Sequence, residues 1–127
     1  MIIKTAKDLK VYQKSYALAM QIFEISKSFL REEIVALTSQ IRRSSRSVPM
    51  NLREAWAKRR YEAHFVSKLT DCDGETNETD TSIDFAGDCG YIGPAQHREL
   101  SGLNTEIGRM LGKMISDPMP FLISTSA

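Results

Sequence analysis

The stretch SQIRRSSRSVPMNLREAWAKRR, Ser39 to Arg60, holds seven basic residues and a single acidic one, Glu54. Apolar and small residues run through it at helical steps. From Leu37 just upstream, Ile41, Ser44, Val48, Leu52 and Ala55 follow at spacings of four, three, four, four and three. That is the period of one face of an α-helix. Pro49 falls inside the pattern. A proline within a helix removes one donor and costs ~3 kcal/mol, so a kink is expected there. It is not an end, because the period resumes at Leu52. The stretch reads as one long amphipathic helix. Its arginines either grip a polyanion or face another helix.

Working outward, three further stretches carry the helical period, and none shows strand alternation. Downstream, Tyr61 to Asp88 has a seam of Tyr61, Phe65, Leu69, Cys72, Thr76, Thr79, Ile83 and Ala86. Its middle is weak, with Cys and Thr in place of Leu, and Gly74 adds a helix penalty of roughly 1 kcal/mol. CGYIGP (89–94) reads as a turn, with Gly90 closing one helix and Pro94 opening the next. The last helix turns Leu100, Leu103, Ile107, Met110, Leu111 and Met114 inward. Upstream of the opening stretch, Leu9, Tyr12, Tyr16, Ala19 and Phe23 form a stripe, with Asp8 as its N-cap. Helices are therefore expected over about 8–28, 31–60, 61–88 and 94–116, followed by an extended tail over 117–127. Short connections between amphipathic helices predict an all-α, antiparallel up-and-down four-helix bundle, one domain over 1–127.

At 127 residues the chain is long enough to bury a core without metals or disulfides. Its net charge of +1 names no partner, but the average hides an asymmetry. Residues 1–70 hold fourteen Lys and Arg against six Asp and Glu; residues 71–127 hold three against ten. A basic half followed by an acidic half invites internal or intersubunit pairing. Cys72 and Cys89, on one helix, would stand ~25 Å apart, beyond the ~7 Å reach of a disulfide. Both read as reduced thiols of a cytoplasmic protein. MIIKTAKDLK lacks the apolar run of a signal peptide, and no segment approaches the ~20 apolar residues of a membrane span.

LTSQIRRSSRSVPMNLREAW (37–56) resembles the signature of the four-helix bundle proteins encoded within intervening sequences of bacterial 23S ribosomal RNA genes. The resembling elements are Leu37-Thr38-Ser39-Gln40-Ile41-Arg42-Arg43, Ser47-Val48-Pro49, Asn51 and Glu54. Further on, EAWAKRRY, FVSKLTD and ETNETDTSIDFAGDCGYI are similar to one branch of that family, and the likeness spans about Leu9 to Met114. Thr76 and Ser82 depart from that branch, which usually has alanine and a large apolar residue there. The resemblance implies a four-helix bundle able to assemble into rings of five. It defines no catalytic residue. Through genomic location, and through a related bundle that partners a reverse transcriptase, it implies nucleic acid as an alternative partner.

Two basic groups compete for function. Arg42, Arg46, Arg53 and Arg60 fall within ~40° of one another on a helical wheel. In an antiparallel hairpin turning near Tyr61, Arg53 comes level with Leu69–Asp71, Arg46 with Glu75–Glu78, and Arg42 with Asp80. Arg42, Arg46, Arg53, Asp71, Glu75, Glu78 and Asp80 are therefore read as an ion-pair network, within a chain or between subunits. The second group, Lys4, Lys7, Lys10, Lys58, Arg59 and Arg60, gathers at one bundle end where acidic residues are scarce. Lys7 and Lys10 stand at a helix N-terminus, against their own dipole, which favours an external anion such as an RNA or DNA backbone.

Other chemistry is poorly supported. DCDGETNETDTS (71–82) fails as a calcium loop, having Thr76 where glycine is needed and Ser82 where glutamate is needed. His64 and His97 lack zinc-motif partners, and no nucleophile–base–orienter set emerges among the serines. Gly108 and Gly112 read as a site of close helix approach, at a neighbouring helix or at a subunit interface. Asn51 is expected to satisfy a backbone group freed by Pro49, Ser44 to bond back to the preceding turn, and Trp56 to pack between helices or subunits. The expectation is a non-enzymatic homo-oligomeric scaffold, without metal, cofactor, small-molecule substrate or membrane. The alternative is an RNA- or DNA-binding protein, ribosomal-RNA- or reverse-transcriptase-associated, using the basic end.

Overall fold

Leu37 to Ala57 forms one unbroken α-helix, and Pro49 lies buried inside it. This comes from a computed structural model, which describes residues 2–123. The four helices are α1 (Lys10–Ser26), α2 (Leu37–Ala57), α3 (Glu62–Asp88) and α4 (Pro94–Ser116), with no strand among the described residues. Each packs on its neighbour, and α1 meets α4 to close an up-and-down bundle. Three short 3-10 turns, Ala6–Asp8, Arg31–Glu33 and Met119–Phe121, finish the ends. None of the helices is long and apolar enough to cross a membrane.

Local chemistry explains most boundaries. Gly90 adopts φ 76°, and the Tyr91 amide donates to the Ala86 carbonyl while Gly90 donates to Gly87. That pattern is a Schellman motif, which satisfies the last carbonyls of α3. Pro94 opens α4, and Gln96 accepts from the Gly93 amide. Asp8 departs from expectation. It caps the Ala6–Asp8 turn with Thr5, accepting from the Lys4 and Thr5 amides, while Leu9 occupies the N-cap of α1. The second helix also starts later than expected, at Leu37 rather than Arg31. Buried Phe29 packs on Tyr91 with ring centres 5.3 Å apart, and the Tyr91 hydroxyl donates to Glu33 at 2.7 Å. These tertiary anchors hold the connection in a shape that a helix would not reach.

The core is built around Ile22, Ile41, Leu52, Phe65, Leu69, Ile83, Ile107 and Leu111. On α1 the inward stripe is Val11, Ser15, Leu18, Ala19, Ile22 and Ser26, not the expected tyrosine stripe. Tyr16 is 54% exposed, and Tyr12 and Phe23 are only half-buried. Branched aliphatics close-pack in the centre, whereas tyrosine keeps its hydroxyl near water. The weak middle of α3 does pack inward, through polar bonds. The Thr79 hydroxyl donates to Ser44 Oγ at 2.9 Å, and Asn104 Nδ2 donates to the Thr76 carbonyl at 3.0 Å. Ser44 lies 3.5 Å from the Ile41 carbonyl, the back-bond expected of it. Asn51 instead bonds the Ser47 carbonyl, its own partner one turn back, beside the gap left by Pro49. The tail is not wholly extended: after the Met119–Phe121 turn, the Ile123 amide donates to the Arg59 carbonyl. The rest of the expected tail, 124–127, lies outside the described residues.

Candidate interaction surfaces

The buried face of α2 divides its polar residues into two flanks. Arg42, Arg46 and Arg53 lie about 100–140° to one side of the seam, and Arg43, Ser47 and Glu54 a similar angle to the other. The second flank faces α3. Arg43 reaches Glu75 at 3.3 Å and Glu78 at 2.6 Å, and Lys68 reaches Glu54 at 2.7 Å and Asp71 at 3.6 Å. The Glu78 carboxylate holds the Arg43 pKa above its usual value, and Glu54 does the same for Lys68. Partial burial raises the Glu75 carboxyl, an effect its arginine partner offsets only in part.

The expected network therefore has three of its four acidic members in place, but with different basic partners. Asp71, Glu75 and Glu78 meet Lys68 and Arg43. Arg42, Arg46, Arg53 and Asp80 form no ion pair among the described residues. Arg43 stands on the opposite flank of the seam from the Arg42, Arg46 and Arg53 stripe, so a search for one arginine stripe does not reach it.

The first flank faces α1. The Arg42 guanidinium donates to Ser26 Oγ at 2.8 Å and stacks 5.0 Å from the Phe23 ring centre; Arg46 stacks 5.5 Å from the same ring. Between α1 and α2 opens a depression of about 260 Å³, walled by Tyr16, Met20, Arg46, Pro49, Met50 and Arg53. Tyr16, Met20 and Met50 are 54%, 46% and 67% exposed. A second groove continues along α2 past Arg42, Ser39 and Ile34. This face combines aromatic, methionine and arginine side chains, the composition enriched at protein interfaces. No sequence signal beyond apolar residues off the seam would have found it.

The end cluster forms in part. Lys4, Lys7, Lys10, Lys58 and Arg60 are exposed and make no ion pair among the described residues. Ala6–Asp8 packs against α2, which brings the amino-terminal lysines to the end where α2 stops. Arg59 differs. Its guanidinium stacks 3.6 Å from the Trp56 ring and donates to the Trp56 and Phe121 carbonyls, and burial lowers its pKa. It is turned inward, as is half-buried Trp56. Next to this end lies an apolar groove of about 690 Å³ lined by Ile3, Leu9, Met114 and Phe121, with Lys10 and Asp117 among its lining residues. Asp117 thus brings a carboxylate to the same groove as Lys10, at an end otherwise poor in acidic residues.

Among the described residues no group of His, Cys, Asp and Glu could hold a metal ion. His97 meets Asp84 at 2.8 Å across the α3–α4 turn, and Asp71–Ser82 is helical throughout. A β-carbon at Gly108 would sit 3.7 Å from Thr76, ordinary contact, and one at Gly112 would meet open space. Close helix approach within the chain therefore requires neither glycine.

The model of the 23S rRNA-intervening sequence protein family matches residues 7–113, the bundle from its amino-terminal turn into α4. The chain belongs to this family. The family match covers both flanks of α2 and omits the tail packed on Arg59. A solved structure from Bacteroides thetaiotaomicron, a protein of unknown function from the S23 ribosomal protein family, is similar to this family member at 30% identity. The likeness covers 84% of this chain and 95% of that one, with a TM-score of 0.75. No curated protein matches.

Proposed function

We propose that this family member is a non-enzymatic, cytoplasmic scaffold that self-associates, as a ring of five in the arrangement its resemblance implies, and that it needs no cofactor or small-molecule substrate. The observation that carries this reading is the α1–α2 face. Tyr16, Met20 and Met50 stand exposed there beside Arg46 and Arg53, which have no carboxylate partner among the described residues. Exposed apolar groups clustered around a depression mark an interaction site more often than solvated surface. Size-exclusion chromatography with light scattering at micromolar concentration tests it. The expected mass is a multiple of the 14.3 kDa chain. A single-chain mass at every concentration would sink the proposal.

A second reading is favoured by the exposed cations at the bundle end. Lys4, Lys7, Lys10, Lys58 and Arg60 could bind RNA or DNA phosphates, whether in ribosomal RNA or beside a reverse transcriptase. Each such contact adds to the salt dependence of affinity. Titration of a fluorescent RNA at several salt concentrations checks this. Binding that weakens steeply with salt, and that Lys58→Ala/Arg60→Ala blunts, supports it; no binding at low salt removes it.

A further inference from the structure

Resting on the self-association proposed above, we infer that one copy inserts Phe85 and the carboxylates around it into the arginine-walled depression between α1 and α2 of the next copy. Phe85 is 58% exposed on the outer stripe of α3, where Glu78, Thr81 and Asp88 flank it at helical steps. From Thr70 to Asp88 this helix carries seven carboxylates and no lysine or arginine. Of the two acids on the Phe85 stripe, Glu78 is held by Arg43 of its own chain, whereas Asp88, exposed one turn from Phe85, has no basic partner among the described residues. The receiving face has the opposite character, with Arg46 and Arg53, which have no carboxylate partner among the described residues, beside Tyr16, Met20, Pro49 and Met50.

Size separates the occupants. The depression is about 260 Å³, below the roughly 300–1,000 Å³ typical of small-molecule pockets, and suited to one aromatic ring. Ring and pocket satisfy each other's apolar surface, and the surrounding charges fix orientation and exclude a like-charged approach. The two patches lie on different faces of the bundle, so the contact is heterologous. Each copy offers one knob and one socket, and successive copies add in the same sense until the chain of copies closes or extends.

Complementation between two disabled variants tests this. Arg46→Glu/Arg53→Glu removes the socket and keeps the knob. Phe85→Ala/Asp88→Arg removes the knob and keeps the socket. All four positions are exposed, so both variants should keep wild-type helical circular dichroism and melting. Each alone should run at single-chain mass by light scattering, and an equimolar mixture should give a two-chain species that cannot grow. Variants that assemble like an oligomeric wild type overturn the pairing of faces and leave self-association standing. A single-chain wild type removes both ideas. Single-chain variants that do not pair when mixed overturn the heterologous geometry. A socket variant that still assembles but no longer retains fluorescent RNA reassigns the groove to nucleic acid, and the inference falls.

Discussion

Cys72 is fully buried, with its thiol 3.7 Å from the Val48 carbonyl, and burial pushes its pKa from 9.0 up to about 12. A folded pKa above the unfolded one means that the native state holds the proton longer. The stability this supplies is complete below about pH 9 and declines as pH rises from about 9 towards about 12. Cys72→Ala should therefore flatten the alkaline fall in unfolding free energy by one proton, ~1.4 kcal/mol per pH unit. Denaturant melts at several pH values across that window provide the measurement, and parallel slopes for wild type and variant would contradict it. Cys89 is exposed. A thiol reagent should accordingly modify one cysteine in the native protein and both after unfolding.

At the scale of the helix, the glycines of α3 are not equivalent. A β-carbon at Gly74 meets open space, so Gly74→Ala should raise stability by about 0.5–1 kcal/mol. At Gly87 the same atom would lie 3.0 Å from the His97 ring, and at Gly90 it would meet a φ of 76°. Alanine at Gly90 should lower the melting temperature, alanine at Gly87 should gain less than at Gly74 because the His97 ring bonded to Asp84 must give way, and thermal melts of the three variants rank them. The amino-terminal capping box gives an acid prediction. Amides of Thr5 and Lys4 hold the Asp8 carboxyl below its ordinary 3.8. Its contribution is present above about 3.8 and lost as pH falls through the folded value, so the protection of the Lys4 and Thr5 amides relative to their intrinsic exchange rates should fall selectively in acid. These elements also show what was legible in sequence. The α3–α4 boundary was readable because Gly90, Gly93 and Pro94 mark it locally. The α1–α2 boundary was not, because residues 31–36 contain no glycine or proline and yield to the distant Phe29–Tyr91–Glu33 contact.

For the molecule as a whole, the bundle converts a basic sequence half and an acidic sequence half into neighbouring helix pairs. The fold was readable because four amphipathic stretches agree with their connections. The site was readable only in part: a helical wheel shows where arginines lie, but not which of two neighbouring helices each flank will meet. Arg43 and Arg46 went to different neighbours for that reason. Because the proposed assembly joins opposite charges at a surface, its mass should fall as salt rises from about 0.05 to 0.5 M, where screening shortens to a few ångströms. Light scattering across that series checks the trend, and a mass independent of salt would point to apolar contact alone. In the core, Leu111 is fully buried. Leu111→Ala should cost ~2–5 kcal/mol in a denaturant melt.

The Thr79–Ser44 bond at the buried α2–α3 seam bears on how such a sequence can drift. Thr79 Oγ1 lies 2.9 Å from both Ser44 Oγ and the Glu75 carbonyl, so it has a second acceptor if Ser44 is lost. Ser44 has only the long 3.5 Å approach to Ile41 if Thr79 is lost. Evolutionary replacement of this pair by apolar residues consequently has a preferred order, Ser44 first and Thr79 second, and the reverse path crosses a less stable intermediate.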